Sequence, residues 1–134
     1  MASNQYYVLH LDDNDDFPYI LRKFFEKENI IYQHVKTVQI AFDCLEERLP
    51  HLLLVDLMLE DDMNPEPGIN FIKDAYQKYP GLKMMVLSNL DRSNIREELE
   101  DYIIGYELKI HKSSVLVSRV IKRLKEMEFV NGSS

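Results

Sequence analysis

Five short, almost unbroken apolar runs set the limits on how this chain can fold: Tyr6 to Leu11, Ile30 to Val35, Leu52 to Val55, Leu82 to Leu87 and Tyr106 to Ile110. Runs of this length with no polar alternation suit strands covered on both faces, as in a parallel sheet. The segments between them repeat at helical spacing. Phe17, Ile20, Leu21, Phe24 and Phe25 mark a first helix, and Ala41, Cys44 and Leu45 a second. Ile69, Ile72, Ala75, Tyr76 and Tyr79 mark a third, Ile95, Leu99 and Ile103 a fourth, and Val117, Val120, Ile121 and Leu124 a fifth. Asn14 is a candidate cap for the first helix, with Pro18 in its first turn, and Ser113 or Ser114 for the last. Strand and helix alternating in this way predict a doubly wound α/β fold with right-handed crossovers. One domain over residues 5–128 is expected, with residues 129–134 as a disordered tail.

Composition narrows the function classes. The formal net charge of -7 argues against a nucleic-acid surface on this domain. No apolar stretch approaches the roughly 20 residues that a membrane helix needs. Met1-Ala2-Ser3-Asn4-Gln5 lacks the basic and apolar regions of a signal peptide. Cys44, the single cysteine, lies in a helical pattern and reads as a small core residue. A cytoplasmic protein is expected.

The chemistry lies at the ends of the runs. Asp12 and Asp13 close the first, and Asp56 closes the third. A carboxylate costs several kcal/mol to bury unless it is paired or holds a metal. Doubly wound sheets bind ligands outside the carboxyl ends of their strands. That rule brings the three aspartates together if the first and third strands are neighbours, with Ser88 and Lys112 joining them from the fourth and fifth. Aspartates of this kind suit Mg2+ or Mn2+, and Asp56 could also be a nucleophile toward phosphorus. Magnesium and Lys112 could neutralise phosphoryl oxygens, and the Ser88 hydroxyl could donate to one. His10, inside the first strand, reads as a core or neighbour-facing residue rather than a metal ligand.

Four segments taken in order, Leu11-Asp12-Asp13-Asn14, Leu54-Val55-Asp56-Leu57-Met58-Leu59, Val86-Leu87-Ser88 and Ile110-His111-Lys112, resemble those of a response-regulator receiver domain. The resemblance implies a flavodoxin-like, three-layer α/β/α fold of five strands and five helices, with strand order 2-1-3-4-5. It implies phosphoryl transfer onto Asp56 from a sensor histidine kinase or a histidine phosphotransfer protein. Asp12, Asp13, Asp56 and the backbone carbonyl of Met58 would hold the metal. Ser88 and Lys112 would respond to the phosphoryl group and change contacts with a downstream protein. The face around the fourth and fifth strands and helices is a candidate homodimer surface.

The chain departs from the family pattern in four places. The segment Glu60 to Pro67 lengthens the loop after Asp56 and adds acidic residues. Asn89 stands where the family usually has a small residue. Ser113 stands where a proline usually follows the lysine. Lys109 stands where the family usually carries a switch aromatic, while Tyr106 lies three residues earlier. These last two assignments take Lys112 as the active lysine. Lys109 is its rival, and Lys112 is preferred because Gly105 then keeps the family's seven-residue offset and Ser113-Ser114 can open the last helix. The competing reading is a pseudo-receiver, a binding module of the same fold that is not phosphorylated. A haloacid-dehalogenase-like hydrolase is disfavoured by Met58, which occupies the place of its second acid. A flavodoxin is disfavoured because no Ser/Thr/Gly-rich phosphate loop follows the first strand.

Overall fold

The computed structural model describes residues 5–59 and 64–132, with side chains through residue 127. Strands and helices alternate as β1 (Tyr7–Leu11), α1 (Asp16–Lys27), β2 (Ile31–Val35), α2 (Val38–Glu47) and β3 (Leu52–Val55). They continue as α3 (Glu66–Lys78), β4 (Met84–Ser88), α4 (Ser93–Leu99), β5 (Gly105–Leu108) and α5 (Ser113–Gly132). The strands form one parallel sheet in the order β2-β1-β3-β4-β5. This is the flavodoxin-like order that the resemblance implies.

The pleat sends successive side chains to opposite faces, which divides the core in two. Val8, Leu52, Leu54, Met85 and Leu87 pack against Leu21 and Phe25 of α1 and Val117, Val120 and Leu124 of α5. Leu9, Leu11, Leu53, Val55 and Val86 pack against Ala41 and Leu45 of α2, Phe71 and Ile72 of α3, and Ile95 and Leu99 of α4. Because both faces are covered, the central strands can be apolar throughout. Each fully buried Leu contributes about 1.5–3 kcal/mol relative to an exposed one.

Local signals fix the element ends. Asn29, with φ 59, takes the left-handed turn after α1, and the N–H groups of Asn29 and Ile30 bond back to the carbonyls of Glu26 and Phe25. The Thr37 hydroxyl accepts the Ile40 N–H at the start of α2. Gly68 lies inside α3, where a Cβ would come within 2.4 Å of the Leu57 backbone. It is therefore required by close packing of α3 on the chain after β3, rather than by a positive φ.

Several boundaries differ from the sequence reading. Asn14 does not cap α1: its N–H is donated to Asp12 Oδ1 and the helix opens at Asp16. The helix α4 ends at Leu99, and Ile103 lies beyond it with its N–H on the Leu99 carbonyl. Strand β5 stops at Leu108, and Ile110, expected inside the strand, is 76% exposed. Helix α5 runs to Gly132, past residue 129. No proline or glycine interrupts it before that point. Residues 133–134 lie outside the described part, as do 60–63 of the acidic loop. Among the described residues, no helix is long and apolar enough to cross a membrane.

Candidate functional site

Parallel pairing of β1 with β3 aligns Leu11 with Val55, so the residues that follow, Asp12 and Asp56, emerge side by side. Their backbones extend the sheet ladder: Asp12 N–H bonds to the Val35 carbonyl at 3.0 Å and Asp56 N–H to the Leu11 carbonyl at 2.9 Å. Asp12 and Asp56 are buried, and Asp13 is half-buried. One carboxylate oxygen from each of the three lies within 4.8 Å of the others. Short turns aim the acids. Asp12 Oδ1 accepts the Asn14 N–H at 2.9 Å, and Asp56 Oδ1 accepts the Met58 N–H at 3.1 Å.

The other oxygens of Asp12 and Asp56 converge on one cation. Lys109 Nζ lies 3.0 Å from Asp12 Oδ2 and 3.1 Å from Asp56 Oδ2. Its ammonium also sits 4.7 Å from the centre of the Phe17 ring, which walls the pocket from α1. Burial opposes the charge of Lys109, but the Asp56 and Asp12 carboxylates hold its pKa above the usual lysine value. Burial pushes Asp56 up to about 6, with Asp12 adding to the rise and Lys109 opposing it. Three carboxylates facing one ammonium leave the pocket short of positive charge. A hard divalent cation bound by oxygen ligands fits that donor set.

The lysine that reaches the carboxylates is Lys109, and not Lys112, the one preferred from the sequence. Lys112 is exposed, four residues beyond the end of β5. Lys109 follows Leu108 directly, at the place where a strand-end residue faces the crevice. Two other assignments move with it. Tyr106 lies three residues before Lys109, the spacing at which the family resemblance would imply a switch aromatic. The position after the lysine becomes Ile110, so Ser113 is simply the first residue of α5.

Ser88 and Tyr106 form the wall on the β4–β5 side. Ser88 is fully buried, and its Oγ accepts the Leu90 N–H at 3.0 Å. The Tyr106 hydroxyl donates to the Leu90 carbonyl, and the Arg96 guanidinium lies 4.2 Å from the centre of its ring. Burial raises the Tyr106 pKa, against an opposing hydrogen bond with Ser88. Asn89, between these groups, is exposed. One buried neighbour carries no mark in the sequence as part of the site. His10 lies beneath Asp12, with its Nε2 3.7 Å from Asp12 Oδ2. Its position two residues before Asp12 on one strand is the available signal, because alternate residues share a face.

No family model matches the chain, and no curated protein matches it. Solved structures do. A signal receiver domain from Vibrio parahaemolyticus is 18% identical with a TM-score of 0.82, over 97% of this chain and 98% of that one. A response regulator receiver domain protein from Methanospirillum hungatei is 19% identical with a TM-score of 0.81, over 93% and 98%. A response regulator from Thermotoga maritima is 22% identical with a TM-score of 0.79, over 90% and 98%. The chain has the fold of response-regulator receiver domains, with an acidic pocket of Asp12, Asp13 and Asp56 at the carboxyl edge of its sheet.

Proposed function

We propose that this chain is a cytoplasmic phospho-acceptor switch: Asp56 takes a phosphoryl group from a sensor histidine kinase or a histidine phosphotransfer protein. The observation that carries this reading is Lys109 Nζ bridging Asp12 and Asp56 within a set of three converging carboxylates. Asp12, Asp13, Asp56 and the Met58 carbonyl would hold Mg2+ or Mn2+, which when bound neutralises phosphoryl oxygens. An oxygen of Asp56 forms the new bond to phosphorus. The phosphohistidine N–P bond breaks, and the imidazole leaves with the electron pair. Lys109 turns its ammonium to a phosphoryl oxygen, and the Ser88 hydroxyl donates to another. Tyr106, held at Leu90 two residues beyond Ser88, carries the rearrangement to the α4–β5 face and a downstream protein.

Support for the pseudo-receiver alternative weakens once Lys109 and Tyr106 take these roles, which leaves the loop Glu60 to Pro67, Asn89 and the missing proline as the departures. The test is intact mass after incubation with Mg2+ and a small phosphodonor. A phosphoryl adduct in the wild type that is absent in Asp56→Asn is the expected result. No adduct at millimolar Mg2+, and no NMR shift with beryllofluoride, would reject the switch in favour of an unphosphorylated binding module.

A further inference from the structure

A second layer of polar groups lies under the acidic pocket. His10 is fully buried, and its Cα pairs with that of His34 on one side and Leu54 on the other. Its Nδ1 lies 2.6 Å from the Tyr32 hydroxyl. Its Nε2 has no hydrogen-bond partner and faces Asp12 Oδ2 at 3.7 Å. The Phe17 ring closes the space on the α1 side. The Tyr32 hydroxyl satisfies one ring nitrogen, and the other is buried without a hydrogen-bond partner, which costs desolvation energy.

We propose that His10 is a positioning residue for Asp12: its Nε2–H backs the Oδ2 oxygen, and the Tyr32 hydroxyl fixes that tautomer by donating to Nδ1. The reverse tautomer is disfavoured twice. It would set the Nε2 lone pair against a carboxylate oxygen, and it would leave the buried Tyr32 O–H proton without the Nδ1 acceptor. Burial raises the Tyr32 phenol, so its proton stays available to donate.

The arrangement gives His10 a specific task. Lys109 and His10 face the same oxygen, Asp12 Oδ2, at 3.0 and 3.7 Å. When Lys109 turns to a phosphoryl group, that oxygen loses its ammonium donor. His10 is then the N–H within a small carboxylate rotation of it. Asp12 stays aimed at the cation while the lysine is engaged elsewhere. Outer groups that orient a ligand in this way typically change metal affinity by about 10–100-fold when removed. The inference rests on the proposed cation-dependent phospho-acceptor site.

The experiment uses the full chain. Long-range 15N–1H NMR of the His10 ring reads the tautomer without any cation, and calorimetric titration with Mg2+ reads affinity. The expected results are a proton on Nε2 in the wild type and a loss of about tenfold in Mg2+ affinity in His10→Leu. His10→Gln, which returns an N–H donor, should recover most of that loss. Tyr32→Phe keeps both rings, removes one of the two terms that hold the tautomer and should weaken Mg2+ binding; it decides the matter if His10→Leu fails to fold. A wild-type proton on Nδ1, or unchanged affinity in folded His10→Leu or in Tyr32→Phe, overturns the proposal. A wild-type chain that binds no Mg2+ overturns the cation site and this inference with it, and the cation-free tautomer result separates that failure from one of His10 alone.

Discussion

Replacing Asp56 by asparagine removes one negative charge from the pocket and leaves its shape nearly unchanged. The Asn carbonyl can still accept the Met58 N–H, and Lys109 keeps its contact with Asp12 at 3.0 Å. Asp56 titrates at about 6 in the folded chain, against an ordinary 3.8, chiefly through burial and then through its neighbour Asp12. At about 1.4 kcal/mol per pH unit, keeping this carboxylate ionised costs the fold about 3 kcal/mol. The sign follows from linkage. The folded chain holds the Asp56 proton more tightly than the unfolded chain, so this group favours folding below about pH 3.8. That advantage is lost as pH rises through about 6 and stays lost above it. Asp56→Asn should therefore match the wild type near pH 4 and exceed it by about 3 kcal/mol at pH 7.5. Urea unfolding followed by far-UV circular dichroism, without divalent cations, measures both points. Saturating Mg2+ should close much of the gap, since one hundred times Kd adds about 2.7 kcal/mol to the form that binds it. A variant no more stable than the wild type at pH 7.5, or a difference independent of pH, would refute the account of a carboxylate kept ionised against its own burial.

Three further predictions concern neighbouring residues. Lys109→Met leaves two buried carboxylates without their ammonium and should cost about 3–5 kcal/mol at neutral pH, whereas exposed Lys112→Ala should stay within about 0.5 kcal/mol; urea unfolding separates them. Gly68→Ala would drive a methyl group into the Leu57 backbone, and the overpacking should lower stability by about 1–3 kcal/mol or more, read as a drop in thermal midpoint. Tyr106→Phe removes the hydroxyl that bonds the Leu90 carbonyl and should cost about 1 kcal/mol, with amide shifts confined to the β4–α4 loop and β5.

Much of this organisation is legible in the sequence because the sheet is buried on both faces. Continuous apolar runs then mark strands, and the first polar residue after a run marks the crevice. That logic locates Asp12, Asp56 and Ser88. It fails at β5, whose residues are all only partly buried. With so weak an apolar signal, Ile110 extends the apparent strand, although its side chain lies in solvent. The glycine offset then selects Lys112 and the aromatic offset selects Lys109, and only the geometry chooses between them. Gly105 has a packing environment of its own: a Cβ there would sit tightly against the end of the Met85 side chain, at 3.2 Å. His10 is hard to find from sequence because a histidine inside an apolar strand looks like core until its vertical neighbour, Asp12, is seen to share its face.

The Lys109 bridge also bears on how the chain folds. Its two contacts span 97 and 53 residues of sequence. Closing them requires β1, β3 and β5 to have met, with most of the chain already in place. Contacts of such long range tend to form after the nucleus, at low φ. A cation or phosphoryl group gathered at this pocket should therefore leave the folding rate nearly unchanged and slow unfolding instead, making occupancy a setting on the lifetime of the native chain.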